Sequence, residues 1–460
     1  MPGCSVGPSY KAPAVVVPTT WKNHQCAETA PEETLTCSDR WWDIFHDEKL
    51  NELENLALAN NQDLLLTLEK IKEARARIGI AAADFYPQIT LNPLFTNTDE
   101  LTKNYSRLNS IIQTKDAFRV HELLYFLPVN MNYEVDLWGK IRDRYKSTVY
   151  DFLAQKKDYE TVMLSLTTQL AGTYYQLRAA DNQLALLQKV IESRQKAFDI
   201  NKARFDDQIT DYVDVTLAGE EIDSAITQFQ EVKRQREILE NELALLIGVP
   251  ASDFVMNFSP FEGAPPVIPE GIPSEILLRR PDIAEAEFTT RSNHALIKEA
   301  YTGFFPSINL TATAGYESPL LKYFLLGISR FWMDGVQIDQ FIFDGGKTCS
   351  NLKLQIARFK ESEAAYQQQV LIAFREVEDA LSDINRYSKE YAAMLATTRW
   401  AAKSYALYVD RYDSGITNYI NVVNTERDLL NYQITLNNIQ GFRYIATIQL
   451  IKALGGGWSL

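Results

Sequence analysis

The sequence predicts a mainly helical fold with a small β part, built twice in tandem. Three observations predict it. Long stretches lack helix breakers, the two halves of the chain match in register, and short segments in each half alternate apolar and polar residues.

The longest breaker-free stretch runs from Gly346 to Ser414, with no proline and no further glycine before Gly415. Its counterpart has no proline between Pro128 and Pro250, and only Gly172 interrupts residues 140 to 218. Proline and glycine disfavour helix interiors, so each stretch predicts one very long helix. At about 1.5 Å per residue such a helix reaches roughly 100 Å. Prolines cluster instead at residues 1–31 and between Pro250 and Pro281, where they mark extended segments.

The repeat has a definite register. Phe85-Tyr86-Pro87-Gln88-Ile89 matches Phe304-Phe305-Pro306-Ser307-Ile308, an offset of 219. Arg204-Phe205-Asp206 with Ile209-Thr210 matches Arg411-Tyr412-Asp413 with Ile416-Thr417, an offset of 207. The first half therefore carries 12 extra residues between positions 91 and 139.

Each long helix has a seven-residue apolar spine. Met163, Leu170, Leu177, Leu184, Ile191, Phe198 and Phe205 are matched by Val370, Val377, Ile384, Tyr391, Thr398, Tyr405 and Tyr412. A strict heptad predicts coiled-coil packing. Partner helices are expected over 211–248 and 418–453, joined by short turns that imply antiparallel hairpins. Shorter helices are expected over 47–84 and 274–303.

Four strands are expected, over about 87–95, 129–138, 306–316 and 336–343. The clearest alternation is Val129, Met131, Tyr133, Val135 and Leu137 against Asn130, Asn132, Glu134 and Asp136. A strand with one apolar and one polar face fits either a half-exposed soluble sheet or an outer-membrane barrel wall. Four strands are too few for a single-chain barrel, and open edges are costly in lipid. Several chains sharing one barrel resolves the conflict.

Composition narrows the function. The net charge of -14 excludes a nucleic-acid partner, which needs clustered Lys and Arg. No run of 18 apolar residues predicts a transmembrane helix. His24, His46, His121 and His294 lack metal-site spacing, and no Walker, G-x-S-x-G or G-x-G-x-x-G motif occurs. No catalytic residue, cofactor or metal site is expected. Cys26 and Cys37 could pair in an oxidising compartment, and Cys349 is expected to be a buried thiol.

The chain resembles the TolC-like outer membrane factor family, in its lipoprotein branch serving resistance-nodulation-division efflux systems. The resemblance covers nearly the whole chain. It is carried by Cys4-Ser5-Val6-Gly7-Pro8-Ser9-Tyr10 with Pro13, by Trp41-Trp42 with Phe45, and by Phe85-Tyr86-Pro87 and Phe304-Phe305-Pro306. It continues in Tyr133-Glu134-Val135-Asp136-Leu137-Trp138-Gly139-Lys140, Leu278-Arg279-Arg280-Pro281-Asp282, Ile342-Phe343-Asp344-Gly345-Gly346 and Ala453-Leu454-Gly455-Gly456-Gly457-Trp458.

The resemblance implies a homotrimer with a 12-stranded outer-membrane β-barrel and a periplasmic α-helical barrel. It implies a passive exit duct for drugs or other small toxic compounds. Its partners would be a periplasmic adaptor (membrane fusion) protein, an inner-membrane resistance-nodulation-division pump and outer-membrane lipid. A channel for a protein-secretion exporter and a soluble coiled-coil scaffold are the alternatives. Cys4 follows Gly3 as in a lipobox and is expected to carry a lipid anchor. In the family, acidic rings close the periplasmic tip after the second turn. Those positions fall on Asn421 and Asn424 here, so the fixed charge is expected instead at Asp211, Asp214 or Glu426. With Thr417, these six residues form the expected gate.

The expected organisation is therefore an N-terminal lipoprotein segment (1–45), a first repeat (46–250) with its hairpin over 139–248, a Pro-rich linker (251–273), a second repeat (274–453) with its hairpin over 346–453, and a C-terminal tail (454–460).

Overall fold

The computed structural model describes residues 6–22, 40–102, 118–261, 263–268 and 273–456. Cys4, Cys26 and Cys37 lie outside them. A 3-10 helix (Trp41–Phe45) precedes α1 (Glu48–Asn60) and α2 (Gln62–Ala83). Then come β1 (Gln88–Leu91), β2 (Leu94–Thr102), β3 (Phe118–Glu134), α3 (Lys140–Asp206) and α4 (Tyr212–Ile247). The second half follows with α5 (Pro273–Arg279), α6 (Pro281–Thr302), β4 (Ser307–Ser318), β5 (Arg330–Asp339), α7 (Lys347–Asp413) and α8 (Tyr419–Ala453).

The duplication is preserved at the level of element ends. α3 and α7 both span 67 residues, and both their ends differ by 207 positions. α2 and α6 both span 22 residues, and their ends differ by 219. The extra residues of the first half fall in the longer β1–β3 region, because β1 and β4 begin 219 apart while α3 and α7 begin 207 apart.

The chain divides into two units. One comprises Met1–Ala12, Lys72–Leu153 and Phe288–Ala364, and it holds the five described strands. They form one antiparallel sheet in the order β1-β3-β4-β5, with β2 also pairing with β3. β1 and β2 lie along the same edge of β3, separated by Asn92 and Pro93. Proline removes a ladder donor, which explains why the strand expected over 87–95 breaks there.

The other expected strands shift as well. The one expected over 129–138 runs from Phe118 to Glu134. It stops before Asp136, whose carboxylate accepts from the Ile141 and Arg142 backbone N–H groups at the start of α3. The strand expected over 336–343 runs from Arg330 to Asp339. Asp344 turns the chain into α7 by accepting from the Gly346 and Thr348 N–H groups, which leaves Phe341, Ile342 and Phe343 exposed outside the strand. Cys349, in the first turn of α7, is exposed rather than buried.

The second unit comprises Pro13–Ile71, Ala154–Glu287 and Ala365–Leu460. Its core gathers the middle of both heptad spines. Leu170, Leu177, Val370 and Val377 are fully buried together with Trp41, Trp42, Leu50, Ile283 and Ile448. Val232 packs with Leu184 and Leu187, while Ala218 packs near Phe198, so α4 runs back along α3. The helices expected over 47–84 and 274–303 are each broken once, at Asn61 and Arg280. Asn61 takes an extended backbone at ψ 128°, and Arg280 precedes Pro281, a position that disfavours the helical conformation.

Candidate functional site: the hairpin turns and the two-faced sheet

The two hairpin turns share one construction. Gln208 and Gly415, 207 positions apart, both adopt left-handed conformations, at φ 60° and 71°. In the first turn Ile209 N donates to Arg204 O and Gln208 N to Phe205 O; in the second, Ile416 N donates to Arg411 O and Gly415 N to Tyr412 O. This is the paired closure that satisfies the last carbonyls of a helix. A side chain in that conformation is strained, so the first turn tolerates at Gln208 what the second solves with glycine.

The tips are joined to one another. Tyr419, Val422, Val423 and Ala218 form a buried cluster with Phe198, Tyr405, Tyr408 and Tyr412 around it. Arg204 reaches Asp413 at 3.5 Å and lies 4.9 Å over the Tyr412 ring. The Tyr412 hydroxyl donates to Asn201 Oδ1 at 2.7 Å. First and second hairpins are thus tied by both apolar and polar contacts.

The six expected gate residues divide into two environments. Asp211 is exposed and caps α4 by accepting from Val213 N. Asp214 is half-buried in the first turn of α4 and accepts from the Thr210 hydroxyl. Both carboxylates complement the positive end of that helix. Asn421 is exposed and donates to the half-buried Thr417 hydroxyl at 2.9 Å. Asn424 is exposed.

Glu426 is built differently. It lies in an ionic cluster with Arg194, Glu221 and Arg427. Arg194 Nη2 meets Glu221 Oε2 at 2.9 Å, Arg194 Nε meets Glu426 Oε2 at 3.2 Å, and Arg427 pairs with the other Glu221 oxygen. Arg194 Nη1 also donates to the Glu221 carbonyl at 2.7 Å. Burial pushes the Glu426 carboxyl above the usual range, against the opposing pull of Arg194. The cluster connects α3, α4 and α8.

Arg194, Glu221, Asn201 and Tyr412 are absent from the expected gate. A signal for two of them was present. Thr173, Ala180, Leu187, Arg194 and Asn201 form a second buried line at heptad spacing on α3, which turns polar towards the tip.

The sheet is a second candidate surface. Its register places Ile89, Leu91, Val129, Met131, Tyr133, Leu310, Ala312, Ala314, Val336 and Ile338 on one face, where Asp334 is the acidic exception opposite Ala312. Gln88, Thr90, Asn130, Asn132, Asn309, Thr311, Thr313 and Gln337 occupy the other. Thr313 Oγ1 donates to Asn130 Oδ1 at 3.0 Å on the polar side. Among the described residues, β1 with β2 at one edge and β5 at the other have backbone groups left to pair.

A family model described as outer membrane efflux protein matches residues 53–249 and again residues 272–456. Outer membrane protein OprJ of Pseudomonas aeruginosa is 30% identical over 463 residues, covering 99% of this chain and 93% of that protein. Probable outer membrane lipoprotein SilC of Salmonella typhimurium is 28% identical, covering 99% and 96%. The crystal structure of the Campylobacter jejuni CmeC outer membrane channel superposes with a TM-score of 0.89 at 27% identity, covering 99% of this chain and 96% of that one.

Proposed function

The chain belongs to the outer membrane efflux protein family, and from that premise we propose that it works as a trimeric exit duct whose helical hairpin tips form the gate. It is an outer-membrane efflux channel. The observation that carries the trimeric reading is the sheet, which among the described residues has four strand positions, a polar face, a largely apolar face and two open edges. Unpaired backbone costs several kcal/mol per group in lipid. Three copies bring twelve strand positions, which close into a barrel with the polar face around an aqueous lumen and the apolar face against lipid.

The hairpin tips form the gate. Asp211, Asp214, Thr417, Asn421 and Asn424 line the constriction, where carboxylates favour cations and asparagine amides hydrogen-bond across the opening. The Arg194–Glu221–Glu426 cluster and the Arg204–Asp413 pair hold the two hairpins together behind it. A duct of this kind has no energy source of its own. It docks on a periplasmic adaptor and an inner-membrane resistance-nodulation-division pump, and Cys4 carries the lipid anchor.

Planar-bilayer recording of the purified trimer tests this reading. Conductance should be low and cation-selective, and should rise in Asp211→Ala, Asn421→Ala and Asn424→Ala variants. Anion selectivity, or no change in any of the three variants, would refute the gate.

A further inference from the structure

We propose that the β4–β5 connection, residues 319–329, is a membrane-interface anchor. It lies in the outer leaflet with its leucines among acyl chains and with Lys322 and Arg330 against phosphorylated lipid headgroups. This rests on the reading of the sheet as a barrel wall.

The segment combines exposed apolar residues with basic ones. The stretch Ser318-Pro319-Leu320-Leu321-Lys322-Tyr323-Phe324-Leu325-Leu326-Gly327-Ile328-Ser329-Arg330-Phe331-Trp332-Met333 has two bases and no acid, in a protein with 60 acidic residues. Leu321 and Leu325 are each 65% exposed and Ile328 is 79% exposed. Water disfavours such a display, and a contiguous exposed apolar patch marks an interaction surface.

The display is built. Two 3-10 turns, Leu321–Tyr323 and Gly327–Ser329, organise the connection. Ser329 Oγ donates to Tyr323 O at 2.8 Å, and Ser318 Oγ accepts from Leu320 N at 3.1 Å. These bonds hold the leucines outward while satisfying the backbone behind them.

The register also says which way the segment leans. Tyr125 pairs with Ser318 and shares a face with Leu127, Val129 and Met131, the apolar face of the sheet. The Phe324 ring lies 5.7 Å from the Tyr125 ring, and Phe95 lies 4.9 Å from it on the same side. The connection therefore folds over the apolar face and away from the polar one. Arg330, opposite Tyr316, also falls on the apolar face. Lys322 Nζ sits 4.5 Å over the Tyr323 ring. Aromatic and basic side chains around an apolar patch fit the boundary between acyl chains and anionic headgroups.

The test uses the full trimer in phosphatidylglycerol nanodiscs. A tryptophan introduced by Leu325→Trp is read as the difference in fluorescence from the wild type. Brominated acyl chains should quench it as they quench Trp332, whose share is read from Trp332→Phe, and aqueous iodide should not. Trp332 lies on the apolar face and is 78% exposed. Quenching by iodide alone, or by neither reagent as at a contact between copies, with Trp332 still quenched by bromolipid, overturns the anchor and leaves the barrel reading intact. If bromolipid fails to quench Trp332, the barrel reading falls and the anchor with it. In native mass spectrometry, Lys322→Ala with Arg330→Ala should reduce retained phosphatidylglycerol several-fold relative to phosphatidylcholine; equal retention refutes the headgroup contact.

Discussion

Asn61 and Arg280 make the same contact in the two repeats with different chemistry. Asn61 Nδ2 donates to Leu246 O at 2.9 Å, and Arg280 Nη1 donates to Ala453 O at 3.0 Å. The donors lie 219 positions apart and the acceptors 207 apart, so both repeat offsets meet in one bond. Each donor marks the break before α2 or α6 and ties it to the end of the returning helix. Arg280 adds Asp282 and Glu376 as partners.

Beside these bonds sit Gly248 and Gly455, at φ 81° and 93°. A Cβ on Gly248 would come within 2.5 Å of Asn60 O, whereas one on Gly455 would meet the Arg279 backbone at 3.1 Å. Both positions carry the left-handed cost of about 1–2 kcal/mol for a side chain. Gly248→Ala should therefore lower the melting temperature of the detergent-solubilised trimer more than Gly455→Ala. Equal shifts would mean that the close approach at Gly248 is readily relieved.

The Arg194 cluster predicts an asymmetry between two arginines. Arg194 is 2% exposed and serves both Glu221 and Glu426. Arg194→Ala leaves buried carboxylates without their main partner and should cost about 3–5 kcal/mol. The Arg427 side chain is 52% exposed, and Arg427→Ala should cost under about 1 kcal/mol. Thermal unfolding of the two variants checks the ranking.

A proton-linked effect is expected from Glu54. It falls on the core face of α1 with Leu50, Leu53 and Ala57, and among the described residues both its oxygens lack a hydrogen-bond partner. Burial holds its carboxyl well above the usual range. A raised acid favours the fold while protonated, so its contribution is complete below the unfolded value of about 4.3 and is lost as pH rises. Glu54→Leu should unfold at a higher temperature than the wild type at pH 8, with the gap narrowing towards pH 4. A gap independent of pH would exclude titration as the cause.

The sheet assignment predicts a face-dependent response. Val336 lies on the apolar face and Thr311 on the polar one. Val336→Arg should destabilise by about 2–4 kcal/mol if it lies at mid-membrane depth, whereas Thr311→Arg projects into the lumen and should be tolerated. Yields of folded trimer from outer membranes measure the difference. Equal loss for both would contradict the orientation.

What the sequence made legible is what local spacing controls. The heptad spines, the absence of breakers and the two offsets located the long helices to within a few residues. The turn at Gly415 was visible because glycine advertises a left-handed position, and its partner Gln208 was hidden because glutamine does not. Asn61 breaks its helix without proline or glycine, through a bond to a residue 185 positions away. Glu426 is expected from the sequence as a gate charge, and its ionic cluster is not legible there because Arg194 and Glu221 come from other helices.

The equality of α3 and α7 constrains how such a protein can change size. Because each helix has 67 residues and shares a heptad spine with its twin, an insertion in only one would carry its turn out of step with the other. An insertion that is not a whole number of heptads would also rotate the apolar seam away from its partner. Viable length variants should therefore arise as coordinated changes of seven residues, matched on all four strands of the two hairpins. Lengthening this protein is a problem of synchrony, and a single indel in either long helix is the change it is least able to absorb.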